Sequence, residues 1–409
     1  MNKNDFILFF IIGLILFSGH YLLREQSKYS DERPHSEQIS KLINNNIYLE
    51  SSLTVIPGYH YIISMLCKIF NLKTLNDMRM FTTILYFIFL IPIFYLSTHK
   101  NIIKTLQFFF LPIIFVFWFL VYTDLTSLLF ILISCMFLKY KKYNFAGLFI
   151  SLSLYIRQNN LFWMFYIMFV IFIHNNKRWF IEILDLLIQG NTKIFKTLWE
   201  YIKIMKVFFI GILFFIIYFL YNGGIVLGSD VKNHPISFHF GNIWFFFFIL
   251  FLCFLPIMLY RINNVINYVK NNKKYMPMFL GIFLIGLGTF VNTHKYNQYP
   301  MFLRNKFLLF FTSNPLYTIL FFIIVLYTIL CVLTMDYNNK YIKYIFIFNV
   351  LYLGLSWLID VRYYFIAITF FILMKKREKE LYIEIYQIIY SIFFSLFMFY
   401  GMYQWLIFW

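Results

Sequence analysis

Long apolar stretches separated by short polar ones make up almost the whole chain. They run over 6–23, 80–97, 106–121, 125–138, 144–157, 161–174, 207–221, 241–260, 276–291, 315–334, 344–358, 361–374 and 385–405. A helix needs about 17–25 apolar residues to cross about 30 Å of hydrocarbon. The runs are continuous rather than alternating every second residue, which favours helices over a membrane barrel. The pattern predicts an all-α, polytopic transmembrane helical bundle of about 12–14 spans. Several runs are short, so some neighbours form tight hairpins. No internal repeat and no soluble domain interrupts them. Residues 1–409 therefore read as one integral membrane domain, with a first outer loop at 24–79 and a loop on the opposite side at 175–206. The run from Phe6 to Leu23 lacks a small-residue cleavage site followed by a polar chain and reads as a first span.

The charges divide by side. With the N-terminus in the cytoplasm and the spans alternating, one set of loops holds Lys100 and Lys104, Lys139 to Lys142, Lys177 to Lys206, Arg261 to Lys274, Lys340 and Lys343, and Lys375 to Lys379. These loops carry 21 of the 35 basic residues, and Lys3 joins them. That is the positive-inside signature. The formal charge of +18 is thus a topology signal rather than a nucleic-acid surface. Composition agrees with the class: 62% of residues are hydrophobic and only 13% charged, about half the charge of a soluble domain. The four cysteines, Cys67, Cys135, Cys253 and Cys331, lie far apart in apolar segments and read as inert thiols.

The opposite loops, 29–57, 122–124, 157–160, 222–239, 292–306 and 360–363, mix Asp, Glu, Arg, Asn, Gln and His with Gly, Pro and Tyr. Alternation of the spans brings them to one face. In the first of them, Asp31 and Glu32 precede Pro34, and Ile39, Leu42, Ile43 and Ile47 recur at helical spacing. This predicts an amphipathic helix in the membrane interface. The two acids are either caps for that helix or a general base and a positioning carboxylate. Asp124 sits between two apolar runs, as a helix cap or a site residue. Arg157, followed by Gln158, Asn159 and Asn160, faces away from the basic side and suits a phosphate, or pairs with Asp124 or Asp360. Arg362 either pairs locally with Asp360 or serves the same anion. The stretch from Asn222, Gly223 and Gly224 to His234 and His239 is glycine-rich at a membrane exit, as a binding loop is, but lacks the lysine end of a nucleotide phosphate loop. The histidines lack metal-ligand spacing, so no metal is expected.

These segments together resemble the dolichyl-phosphate-glucose-dependent α-1,2-glucosyltransferases of the GT-C superfamily. The closest stretch is Asn222-Gly223-Gly224-Ile225-Val226-Leu227-Gly228, with Asn233-His234 and His239-Phe240. Asp31-Glu32 with His35 and Gln38, Pro57-Gly58-Tyr59, Tyr122-Thr123-Asp124, Arg157-Gln158 with Asn160 and Trp163, and Arg362-Tyr363 match in order. The chain departs where Pro300-Met301-Phe302 follows Thr293-His294-Lys295-Tyr296 and displaces Arg304, and where Pro34 replaces an aromatic residue.

The resemblance implies an endoplasmic-reticulum membrane enzyme with a lumenal active site. Its donor is dolichyl phosphate glucose, and its acceptor is the terminal glucose of a diglucosylated lipid-linked oligosaccharide. The β-linked donor gives an α-1,2 product, so the anomeric centre inverts in one displacement, with no cofactor. On that pattern Asp31 is the base and Glu32 its rival, and Arg157 and Arg362 take the donor phosphate. His35, Asp124, Gln158, Asn222, Gly223, Gly224, His234, His239, His294 and Arg304 line the substrates. The competing readings are a GT-C transferase using another polyprenyl-phosphate sugar and acceptor, a membrane transporter, or a non-catalytic membrane subunit. Few ionisable residues lie inside the spans and no inverted repeat is visible, which disfavours the transporter.

Overall fold

The structure is a computed structural model that describes residues 3–175, 188, 193–227, 237–299, 305–338 and 342–407. The regular structure of the described residues is helical, with one isolated β-bridge, Tyr337 to Lys375, and no strand. The chain opens with α1 (Lys3–Leu23), α2 (Glu32–Ile43), α3 (Gly58–Ile69), α4 (Leu75–Leu85), α5 (Ile91–Ser97), α6 (Ile102–Phe109), α7 (Pro112–Phe115), α8 (Thr123–Lys139), α9 (Tyr143–Ile156) and α10 (Leu161–Asn175). The principal helices after it are Lys193–Asn222, Gly241–Cys253, Met276–Thr289, Pro315–Thr334, Ile342–Gly354, Phe365–Met374 and Leu381–Tyr403.

Each apolar run of the sequence coincides with a helix or a broken pair. Among the described residues five helices are long and apolar enough to cross a membrane, and a sixth span forms if the bent pair at 102–119 counts as one. The chain is therefore an all-α polytopic membrane protein. Most other apolar helices are shorter, between 10 and 17 residues. Prolines make several of the breaks, because they remove an N–H and clash with the preceding turn. Pro112 bends 102–119 by 58°. Pro92 follows a π-turn at Tyr86–Leu90, which absorbs the lost hydrogen bond between α4 and α5. Side chains facing lipid are apolar, such as Phe6, Phe10 and Phe17 on α1 and Phe393 and Phe397 on the last helix.

Two boundaries differ from the sequence reading. The interfacial helix α2 ends at Ile43, and Asn45 at φ 59° turns the chain away. Ile47, expected on its apolar face, is exposed instead. The helix expected from 207 starts at Lys193, so it takes up part of the 175–206 loop.

Two apolar clusters hold the fold. The main one fills the bundle. The smaller joins Ile39 of α2, Tyr59, Ile63 and Cys67 of α3, and Met78 of α4 to Val121 and Ile156 at the ends of neighbouring spans. It docks the first loop onto the bundle. Gly58 permits this approach, because a Cβ there would meet the Tyr155 carbonyl oxygen at 2.4 Å.

Candidate functional site

The docked loop roofs a cavity of about 240 Å³. Its wall includes Asp31, His35, Arg157, Gln158, Arg362 and Trp357, drawn from three separate stretches of sequence. The structure thus brings together five of the residues singled out from sequence, and Trp357, which sequence reasoning missed.

Asp31 and Glu32 are adjacent in sequence and opposite in role. Asp31 occupies the N-cap position of α2 yet makes no side-chain cap hydrogen bond. Its carboxylate lies 2.8 Å from Arg362 Nη1 and is 36% exposed. It is not spent on capping. Glu32 is fully buried and does not line the cavity. It accepts from Arg79 Nε at 2.9 Å and Nη2 at 2.6 Å, and from the backbone N–H groups of Tyr29 at 3.1 Å and Val121 at 3.0 Å. Arg79 gives its remaining three N–H bonds to the carbonyls of Leu23, Gln26 and Ser27. A carboxylate has about four acceptor sites and guanidinium five donors, so both groups are saturated. Against the expectation that Glu32 rivals Asp31 as a base, Glu32 ties α1, α4 and the 120–122 turn together. The sequence alone had not singled out Arg79.

The two arginines are held differently. Arg157, at the end of α9, donates to Asp124 and, at 3.4 Å, to the Thr123 hydroxyl, and lies over the Tyr363 ring. Asp124 is buried, and its second carboxylate oxygen, Oδ2, has no partner. It supports Arg157 rather than lining the cavity. Arg362 is shared between Asp31 and Asp360, with Nε at 2.8 Å from Asp360 Oδ2, and its guanidinium lies over Tyr122. Both pairings proposed from sequence, Arg157 with Asp124 and Arg362 with Asp360, are present, and both cations still border the cavity.

His35 lines the cavity with its Nδ1 3.0 Å from His60 Nε2, an imidazole pair buried beneath α2. Burial, then the charges of Arg362 and Arg157, push the His35 pKa down to about 3. Burial and His35 hold that of His60 well below its usual range. Both rings are neutral near pH 7.

Gln158 is a clasp. Its amide donates to the carbonyls of Thr54 at 2.8 Å and Ile225 at 3.3 Å and accepts from Ile56 N at 3.4 Å. It joins the first loop to the glycine-rich loop on the cavity wall. Asn222 folds that loop by donating to Gly224 O at 2.8 Å and Val226 O at 3.1 Å, and Gly223 takes φ 71° there. Asn222, Gly223 and Gly224 shape the loop without touching the cavity, and the next two residues, Ile225 and Val226, line it.

His239 and His294, expected at the substrate, instead flank Trp357. The His239 ring stacks on the indole at 5.6 Å, and the His294 ring meets it edge-on at 4.9 Å. Trp357 donates to the Thr293 hydroxyl at 2.9 Å. Neither histidine lines the cavity. His234 and Arg304 lie outside the described residues. Two asparagines that sequence reasoning missed clamp the late loop. Asn242 donates to Ser356 O and Leu358 O and accepts from Asp360 N and the Tyr364 hydroxyl. Asn297 exchanges two bonds with Ile359. For Asn242, a polar residue opening an apolar run was the available signal. Among the described residues no group of three or more His, Cys, Asp or Glu could hold a metal ion.

The cavity therefore pairs a partly exposed carboxylate with two guanidinium groups and an aromatic wall. A curated relative from Candida albicans (strain SC5314 / ATCC MYA-2876), named Dol-P-Glc:Glc(2)Man(9)GlcNAc(2)-PP-Dol alpha-1,2-glucosyltransferase, is 30% identical over 179 residues. The matched stretch covers 43% of this chain and 37% of that relative's length. No solved structure matches. Residues 25–375 match the sequence profile of the DIE2/ALG10 family, a span that contains every cavity-lining residue. The chain belongs to the DIE2/ALG10 family.

Proposed function

We propose that this chain transfers glucose from dolichyl phosphate glucose to the terminal glucose of the diglucosylated lipid-linked oligosaccharide, forming an α-1,2 linkage with inversion. The reading places the enzyme in the endoplasmic reticulum membrane with the cavity on the lumenal side. The observation that carries it is the Asp31 carboxylate, uncommitted to capping, beside Arg362 and Arg157 in one cavity.

The reaction needs one base and an anion cradle. The acceptor 2-hydroxyl oxygen attacks C1 of the donor glucose, and its proton passes to Asp31. The bond from C1 to the phosphate oxygen breaks, and its electron pair leaves with dolichyl phosphate. Arg157 and Arg362 stabilise the charge that collects there. Glu32, Gln158, Asn222 and Asn242 hold the loops in place. Membership of the family and the name of the relative, which describes this donor, acceptor and linkage, support the choice of substrates.

The test is transfer in vitro by the purified chain, from synthetic dolichyl phosphate glucose to a diglucosylated lipid-linked oligosaccharide. The expected result is a mass gain of one hexose, removable by an α-1,2-specific glucosidase. No gain with this pair, but a gain with another polyprenyl-phosphate sugar or another acceptor, overturns the substrate assignment and keeps the chemistry.

A further inference from the structure

A second cavity, about 540 Å³, opens between α5, α8, α10 and the Phe365–Met374 helix. The reaction proposed above makes no use of it. Helix α8 begins beside the first cavity at Thr123 and reaches the second at Lys139. At 1.5 Å per residue those two ends of α8 are about 24 Å apart. On α10, Leu161 and Phe162 line the first cavity and Tyr166, Ile167 and Val170 the second, so the two come within about one helical turn of each other there.

The second cavity has two chemistries. Its depth is apolar, built from Met136, Ile167, Val170, Phe370, Leu373 and Met374. Its mouth is basic: His99, Lys139 and Lys141 line it, and Lys139 Nζ is 3.4 Å from His99 Nδ1. The two turns that carry them, 98–104 and 139–145, contain four lysines besides Lys139 and no acid. His99, Lys100 and Lys141 hold φ of 57°, 63° and 57°, so the backbone at both turns is tight. The positive-inside rule puts both turns on the cytoplasmic face, where anionic lipids gather. Tyr166 lines the cavity, and its buried hydroxyl has no hydrogen-bond partner. A pure hydrocarbon would leave it so.

We propose that this cavity is a binding site for an anionic glycerophospholipid, with its phosphate at His99, Lys139 and Lys141 and an acyl chain along α8 and α10. An ester carbonyl of such a lipid is an acceptor for Tyr166. The apolar depth selects an acyl chain over a soluble phosphate, and the basic mouth selects an anionic head over a zwitterionic one.

Native mass spectrometry of the delipidated full chain, titrated with phosphatidylserine and with phosphatidylcholine, tests this. Phosphatidylserine should bind at least about tenfold more tightly. Each lysine near a phosphate contributes about fivefold, so Lys139→Ala with Lys141→Ala should weaken phosphatidylserine by about thirtyfold and phosphatidylcholine, whose phosphate is offset by its choline, by less, so that the preference shrinks. Val170→Trp, which fills the apolar depth and leaves the lysines in place, should abolish the phosphatidylserine preference. It serves as the second variant if the lysine pair fails to fold. Equal affinity for the two lipids overturns the proposal. So does an unchanged preference in both variants, or preferential uptake of dolichyl phosphate over phosphatidylserine.

Discussion

Two neighbouring carboxylates, Asp31 and Glu32, should give opposite phenotypes when each is replaced by its amide. Asp31→Asn removes the proposed base and one of the two acids that hold Arg362. The lost ion pair is 36% exposed on its acidic side, and Arg362 keeps Asp360. Such a pair contributes about 0–1 kcal/mol, so the thermal midpoint should stay within a few degrees of the parent. Turnover should fall by about 10²–10⁴, the share of a positioned general base, with little change in the KM for donor. Glu32→Gln strands the Arg79 charge, whose side chain is 1% exposed. Breaking a buried pair on one side costs about 3–5 kcal/mol, a large fraction of the roughly 5–15 kcal/mol that holds a native domain. This variant should therefore lose thermal stability and yield, while the folded fraction turns over within a few-fold of the parent. The assay is thermal melting in detergent beside initial rates of glucosyl transfer, normalised to folded protein. A stable Glu32→Gln protein without turnover, or an Asp31→Asn protein with full turnover, refutes the assignment.

Arg157→Ala alone should lose about 3–5 kcal/mol, because buried Asp124 then has no cation. Arg157→Ala with Asp124→Asn should melt near the parent but raise the donor KM at least about tenfold, the size expected for losing a charge-assisted phosphate contact. Asn242→Ala should cost about 2–4 kcal/mol, because it leaves carbonyls of the late loop and Asp360 N without partners, and it should reduce turnover through displaced Arg362. For pH, the His35 pKa is depressed in the fold, so the unfolded chain binds the extra proton first and stability falls as pH drops below about 6.5. With a folded pKa of about 3, the loss at pH 5.5 is about 1.4 kcal/mol for this ring. His35→Gln should flatten the melting profile between pH 7.5 and 5.5, and an unchanged slope contradicts it.

The fold was largely legible because hydrophobic run length is a local property: each run became a helix. Helix ends were less legible where local chemistry decided them, as at Asn45, whose positive φ ends α2 before Ile47. For the site, charge sidedness was enough to bring Asp31, Arg157 and Arg362 to one face. It could not separate Asp31 from Glu32, since their difference lies in a partner 47 residues away, Arg79. Nor could it reveal Trp357, whose place depends on Asn242 and Asn297 holding the late loop from two other helices. The place of the two outer histidines was hidden for a related reason. A polar ring in an outer loop reads as a ligand, yet His239 and His294 use their rings to brace the indole.

Arg362 gives the site a further property under the proposed reaction. In the resting cavity its guanidinium is divided between Asp31 and Asp360. The donor is a phosphodiester with about one negative charge, and the leaving group is a monoester approaching two. As Asp31 accepts the acceptor proton, its own charge disappears from Arg362 at the moment the phosphate gains charge. The cation is then released toward the leaving group without moving, so the stabilisation grows in the transition state rather than in the bound ground state. Base and cradle therefore act as one unit, and their losses should not add. Arg362→Lys retains the charge but not the forked geometry that spans both acids, and it should lower turnover on its own. In a double-mutant cycle, Asp31→Asn combined with Arg362→Lys should be little slower than the worse single variant. Multiplied rate losses from the two substitutions would show that the carboxylate and the guanidinium work independently, and the coupled release would then be wrong.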